Sequence, residues 1–493
     1  MTDHESADTT AGRVRGSVRD GVAAYLGVPY AAPPVGDLRF AEPEPALPWI
    51  GVRDALVPGP SAPQGALAFP GIDTVPITGP GWRRGDDYLT LNVWAPVGAE
   101  RRPVLVYVHG GGLVLGSKDA AVHDGRAFAR DGAVVVAVNY RLGVEGFVAV
   151  PGAPTNLGLR DVLAALRWVR ANIAAFGGDA ENVTLFGESG GGIAVSALVT
   201  SPLSVGLFGR AIVQSGHGSA VYPVEIAHRV THRLASTLGV APDRDGFRAV
   251  DPEALVTALR KAARPGAVSM RDESGFDPSF GLGVVNPVVG DDVLPVHPLD
   301  ALRAGAGREV DLLIGTTEDE ANSWFAPYRL LGVPAWAARL ALGRLVPRGG
   351  DLFRRYREEH PGLRGGEVLS RVLGDLSFRL PARRYAAAHR GRTHFFEFDW
   401  RSPASRGRLG AAHGVDLGFV FDTLPSVSGP RGMVGEDPPQ ALADHVHRTW
   451  LRFATDGTAD WPEYSDAAPA VSRLFEGRVE VERPLPAAGF LPG

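Results

Sequence analysis

The stretch "VTLFGESGGGIA" at 183–194 runs four apolar residues into a serine fenced by glycines, with a carboxylate beside it. A tight turn that happens to hold a serine would read this way. So would a nucleophile elbow of the form Gly-x-Ser-x-Gly, in which a buried strand turns sharply into a helix and lifts a hydroxyl off the end of a sheet. The flanks favour the elbow. An apolar strand leads in, and "GGGIAVSALVTS" can leave as a helix whose first N–H groups face an anion forming at Ser189. The glycines remove side chains that a strained turn cannot seat.

Outward from this point, short apolar runs recur at 103–108, 133–138, 210–214 and 310–314. Continuous rather than alternating apolarity marks strands covered on both faces. Before the elbow lies "NLGLRDVLAALRWVRANIAAFGGD" (156–179). Its residues Leu159, Val162, Leu163, Leu166, Val169, Ile173 and Phe176 step by three or four, one helix stripe stopped by Gly177 and Gly178. Strand, helix, strand at this spacing predicts an α/β fold with a large, mostly parallel sheet. The segments 223–262 and 335–391 read as helical insertions capping one end of it, 58–81 as an irregular surface loop, and 1–10 as a disordered tail. Residues 11–493 are expected to form a single domain.

Composition removes several classes of function. Net charge is −5, lysine occurs only at 118 and 261, and the arginines are scattered, so nucleic acid is not an expected partner. The chain has no cysteine, hence no disulfide and no thiolate nucleophile. No apolar run approaches the ~18 residues of a membrane span, and the polar start is not a secretory signal. A cytoplasmic protein without membrane contact, a monomer or homodimer acting on a small molecule, is the expectation.

A serine hydroxyl needs a base, and the base needs an orienting acid. Among thirteen histidines, His4 lies in the polar start, while His228, His232, His445 and His447 fall on helix surfaces. His228 and His232, four apart, have the spacing of a zinc pair but no third ligand, so no metal is expected. His413, in "GAAHGVDLGFVF", follows the strand-like "THFFEFDW" (393–400) and has small neighbours that leave its ring room. For the acid, "VDLLIGTTEDEANSWF" (310–325) carries Glu318, Asp319 and Glu320 just past a strand end, where open α/β sheets place their sites. Spacing alone does not choose among the three. "VYVHGGGLVLG" (106–116) sets three glycines directly after another buried strand, bare backbone suited to holding an oxyanion.

With these motifs on the page, the chain resembles the type-B carboxylesterases, the family of para-nitrobenzyl esterases, animal carboxylesterases and cholinesterases. The resemblance extends to "YLGVPYAAPPVGDLRF" (25–40), "DDYLTLNVWAP" (86–96), "VNYRLGVEGF" (138–147), "SPLSVGLFGRAIVQSG" (201–216) and "WLRFATDGTADWPEY" (450–464). It implies an α/β-hydrolase fold and cofactor-free hydrolysis of a small-molecule ester. It also implies Ser189 as nucleophile, His413 as base and Glu320 as acid, with Asp319 in reserve. Gly111, Gly112 and Gly190 match the oxyanion donors. Glu188 and Leu113 are expected to line the site, Leu113 replacing an aromatic, and Ser215 to lie behind the triad as a structural residue. Tyr88 stands where the family commonly has a disulfide cysteine, and Trp82 is not matched to the choline-binding tryptophan. The same triad would also serve an amide, thioester, carbamate or lactone. A non-catalytic binding protein on this scaffold is the reading from another class.

Overall fold

Along Arg102–Val108, Val104, Val106 and Val108 enter one core while Leu105 and Tyr107 enter another on the opposite face, and none of the five is exposed. Val134–Val138 divides the same way, with Val134, Val136 and Val138 on one side and Val135 and Ala137 on the other. Both faces of these strands are dry, which is why their apolar runs are unbroken. The computed structural model describes residues 3–273, 275–277 and 283–490.

In chain order the first strands are β1 (Asp3–Asp8), β2 (Arg13–Arg19), β3 (Val22–Pro29), β4 (Val52–Asp54) and β5 (Thr90–Pro96). Next come β6 (Arg102–Val108), β7 (Val134–Val138), β8 (Gly178–Glu188), β9 (Arg210–Gln214), β10 (Tyr222–Pro223) and β11 (Val288–Val289). The last are β12 (Asp311–Thr317), β13 (Thr393–Phe398), β14 (Ala470–Arg473) and β15 (Arg478–Val481). Thirteen make one sheet in the order β1-β2-β3-β5-β7-β6-β8-β9-β12-β13-β14-β15, with β4 on β2. From β7 to β14 all neighbours are parallel. The wings, β1 to β7 and β14 to β15, run antiparallel along that path. This is the α/β-hydrolase architecture, and it sets the C-terminal ends of β6, β8, β9 and β12 side by side.

The helix Leu157–Asn172 bridges β7 and β8, and a 3-10 turn, Ile173–Phe176, extends it. All seven residues of its stripe are buried in one core. Helices Val224–Leu238 and Pro252–Ala262 fill the first insertion. Helices Ala335–Leu345, Gly349–Glu359, Gly365–Gly374 and Leu380–Ala388 fill the second and share a satellite core of their own. Among the described residues, no helix is long and apolar enough to cross a membrane.

Two expectations need correction. Within the expected tail 1–10, Asp3–Asp8 is an edge strand on β2, closed by Arg13 bonding Asp8 at 2.7 and 2.9 Å, and residues 1 and 2 lie outside the described residues. An edge strand is held by its backbone ladder and needs no apolar signature. The loop 58–81 is irregular, but Leu67, Phe69, Thr74, Ile77 and Thr78 turn inward as one wall of the main cavity. Its Pro and Gly content shaped the backbone and hid the inward face.

Candidate active site

β8 ends at Glu188, and a helix begins at Gly190. Ser189 between them sits at φ +55°, ψ −121°, a conformation rarely open to a residue with a side chain. Two bonds hold the strain: the Ser189 N–H donates to Gln214 O at the end of β9 (2.9 Å), and Ile193 N–H donates to Ser189 O (2.8 Å). The glycines answer close approaches. A Cβ on Gly191 would fall inside contact distance of the Val108 carbonyl. A Cβ on Gly190 would stand 3.0 Å from Gly112 N and 2.8 Å from Leu113 N, so glycine there lets the 110–116 loop close on the elbow.

That loop turns back on itself as Val114 and Leu115 N–H donate to Gly111 O at 3.2 Å. Among the described residues, the N–H groups of Gly111, Gly112 and Gly190 donate to no protein acceptor, and all three residues line the cavity that holds Ser189. Leu113 departs from expectation. At φ +62° its side chain turns into the main core, and it does not line the cavity. His109, ahead of the glycines, stacks on Tyr140, and its imidazole is pushed down to about 4 by burial, so it stays neutral.

The three adjacent carboxylates after β12 separate in space. Glu320 turns inward, and its Oε2 lies 2.6 Å from His413 Nδ1. Its Oε1 accepts from Ser215 Oγ (2.7 Å) and Thr317 N–H (2.9 Å). Asp319 instead pairs with Arg401 at 2.7 Å and accepts from Ala411 N–H, and Glu318 faces Arg371 and Arg401. The histidine loop is pinned to the acid loop by His413 N–H to Glu320 O (3.2 Å) and Ser323 Oγ to His413 O (2.8 Å). The rings of Trp324 and Phe378 flank the imidazole, centroids 5.0 and 4.8 Å away.

Ser189 and His413 line the same cavity of about 340 Å³, with no direct hydrogen bond between them among the described residues. His413 Nε2 lies instead 3.2 Å from Glu188 Oε1, without hydrogen-bond alignment. Burial opposes charge on His413, but Glu188 and Glu320 outweigh it and raise the imidazole to about 9. Glu188 is itself raised to about 8, first by burial and only partly relieved by His413. The two groups, 3.2 Å apart, are both shifted toward their protonated forms and titrate as a coupled pair.

Asp416, three residues after His413 in "GAAHGVDLGFVF", is a further buried carboxylate beside the site that no motif singles out. Its Oδ2 accepts from Gln214 (2.8 Å), its buried Oδ1 has no hydrogen-bond partner among the described residues, and burial lifts it to about 6. Ser215, expected to be structural, is bonded directly to Glu320 at a backbone φ of +47°. His447, expected on a surface, is buried, with Nδ1 2.8 Å from Val420 O. Among the described residues, no group of three or more His, Asp or Glu is arranged to hold a metal ion. Trp82 lies outside the main cavity with Arg84 over its ring, and Tyr88 bonds Glu145.

Chemically, this is a hydroxyl on a strained elbow and a histidine held by one carboxylate and faced by another. A row of backbone donors without acceptors completes it. Residues 3–334 match the family model described as "Carboxylesterase family". The chain is 35% identical to phenmedipham hydrolase of Pseudarthrobacter oxydans, across 97% of both chains. It is 34% identical to para-nitrobenzyl esterase of Bacillus subtilis (strain 168), covering 94% of this chain and 93% of that one. A solved para-nitrobenzyl esterase structure superposes with a TM-score of 0.82 at 31% identity, covering 97% of each chain. A Geobacillus stearothermophilus carboxylesterase superposes with 0.81 at 33%, covering 96% of this chain and 97% of that one.

Proposed function

The chain belongs to the carboxylesterase family and is a carboxylic ester hydrolase, and on that premise we propose that it cleaves small esters through an acyl-enzyme on Ser189. His413 Nε2 takes the Ser189 proton as Oγ adds to the ester carbonyl carbon. The tetrahedral oxyanion is held by the N–H groups of Gly111, Gly112 and Gly190. Collapse breaks the bond to the alkoxide, which leaves as the alcohol with the proton from Nε2. Water then adds to the acyl-serine with His413 again as base, and the acid departs. Glu320 keeps the proton on Nδ1 and stabilises the imidazolium; Ser215 and the Thr317 amide fix the carboxylate in turn. Removing one preset oxyanion donor typically costs about 3–4 kcal/mol of barrier.

The observation that carries the reading is the 2.6 Å contact from His413 Nδ1 to Glu320, at the cavity that also holds the strained Ser189. The proposal includes one domain, the expected 11–493 together with the edge strand Asp3–Asp8, supported by a sheet that takes strands from Asp3 to Val481. It also includes a cytoplasmic, bacterial setting, resting on the bacterial sources of the two relatives named above. The test is hydrolysis of p-nitrophenyl acetate and its matched anilide. The wild type is expected to cleave the ester far faster. Ser189→Ala should lose at least about 10³-fold in kcat while keeping its melting temperature. A mutant with wild-type turnover removes Ser189 from the mechanism.

A further inference from the structure

Between Ala321 and Gly350 the chain carries Arg329, Arg339, Arg344 and Arg348 and no acidic residue, in a protein whose net charge is −5. The run begins on the wall of the Ser189 cavity, where Ser323 and Trp324 are lining residues. Tyr328 then packs edge-on against Phe69, another lining residue, and donates to Ala68 O at 3.3 Å. From there the chain leaves as the helix Ala335–Leu345. That helix is apolar on two sides. Ala338 and Leu342 are fully buried in the satellite core, while Trp336 and Leu340, four apart and so on one face, are 73% and 49% exposed. Of the nine tryptophans, Trp336 alone is exposed. Arg339 and Arg344 share that outer face, and neither they nor Arg329 enter an ion pair among the described residues; Arg348 stands 3.9 Å from Asp351. Charge balance returns in the next helix, Gly349–Glu359, with three arginines and three acids.

We propose that this face seats the protein on an anionic phospholipid surface, with Trp336 and Leu340 in the interface and the arginines on lipid phosphates. An indole, apolar in body and polar at one edge, is the ring that settles at the boundary between headgroups and acyl chains. The arginine stems lie along apolar surface while the guanidiniums reach phosphate oxygens in pairs. Cations that no acid of the protein cancels are left to attract anionic headgroups. Position favours lipid over an acidic protein partner, since the segment starts at the cavity of an ester hydrolase and apolar esters concentrate in lipid. The expectation of no membrane contact rested on spanning segments alone, and a helix of eleven residues lies flat in the interface instead. The contact stands apart from the acyl-enzyme chemistry, which it neither uses nor alters.

The test is flotation of the full chain with vesicles of phosphatidylcholine alone, or of phosphatidylcholine and phosphatidylglycerol in equal parts. The wild type should bind the anionic vesicles at least about tenfold more tightly than the neutral ones, and should be released as salt rises from about 0.1 M to about 0.5 M. Replacing Arg339 and Arg344 together by Gln should weaken anionic binding by about tenfold or more, each arginine at the surface contributing roughly fivefold. Trp336→Glu combined with Leu340→Glu should abolish it. All four side chains are exposed, so both variants should keep the wild-type melting temperature and turnover of dissolved p-nitrophenyl acetate. Should the glutamate variant fail to fold, Trp336→Gln takes its place and should weaken binding. Wild type that binds anionic vesicles no better than neutral ones, or variants that bind them like wild type, overturns the proposal. Binding to polyglutamate without binding to vesicles would transfer the face to an acidic protein partner and overturn it as well. An inactive wild type counts against the acyl-enzyme reading and not against the lipid contact, since flotation needs no turnover.

Discussion

Two clusters of buried carboxylates lie in this molecule, and they are built oppositely. Around Glu397 on β13, Arg379 (2.6 Å), Arg383 (2.8 Å) and Arg473 converge on one fully buried side chain. Burial pushes Glu397 up, but the three guanidiniums outweigh it and hold the carboxyl at about 2. Around His413 stand Glu188, Glu320 and Asp416, all buried, and no arginine or lysine forms an ion pair with any of them among the described residues. There burial wins, and Glu188 rises to about 8 and Asp416 to about 6. A permanent cation fixes a proton's absence; a titratable imidazole leaves the proton free to move. The first cluster is a rivet between β13, β14 and the second helical insertion, and the second is the one to which the proposed mechanism assigns proton transfer.

The pH dependence of stability differs in sign between them. Glu397 binds its proton more weakly folded than unfolded, so its stabilisation is full above about pH 4.5 and is lost as pH falls through about 2. Glu188 binds its proton more tightly folded, so its contribution is full below about pH 4.5 and is lost as pH rises through about 8.

The largest expected effect tests the mobile side. Glu320→Gln should lower kcat by about 10³–10⁴-fold with little change in melting temperature, since the amide cannot hold the same tautomer or balance the imidazolium. A loss under tenfold would mean the acid lies elsewhere. Next, Glu397→Gln should cost about 3–5 kcal/mol in denaturant unfolding, because three guanidiniums lose their counter-charge, while kcat of the folded fraction stays near wild type. If activity and stability fall together in step, the rivet is also part of the site and the contrast fails. The smallest effect sharpens it. Glu188→Gln removes the carboxylate that does most to raise His413, so the acid limb of kcat/KM should move to lower pH by about one unit. A limb that stays in place, or moves up, would mean that Glu188 does not set the proton affinity of the base.

Legibility in the sequence follows the same physics. Strands dry on both faces announce themselves, and the runs at 103–108, 133–138, 210–214 and 310–314 all fall on strands, as did the helix stripe from Leu159 to Phe176. The edge strand Asp3–Asp8 carries no such signal, because its hold is a ladder of backbone bonds. The elbow and the glycine loop were visible because strain and close approach demand glycine. Glu320 was not separable from Asp319 by spacing, since the choice depends on which carboxylate a turn points inward and which meets Arg401. The direction of Leu113 is hidden for the same kind of reason: a positive φ turns its side chain into the core, which composition does not report. Asp416 carries no sequence signal because burial, not residue type or spacing, is what raises its carboxyl to about 6.

Everything returns to one oxygen atom. Incubation with a fluorophosphonate, digestion and peptide mass spectrometry should find one adduct per chain, on the peptide bearing Ser189, with labelling lost in Ser189→Ala and strongly slowed in Glu320→Gln. A protein that hydrolyses p-nitrophenyl acetate while its Ser189 peptide stays unmodified would contradict the account.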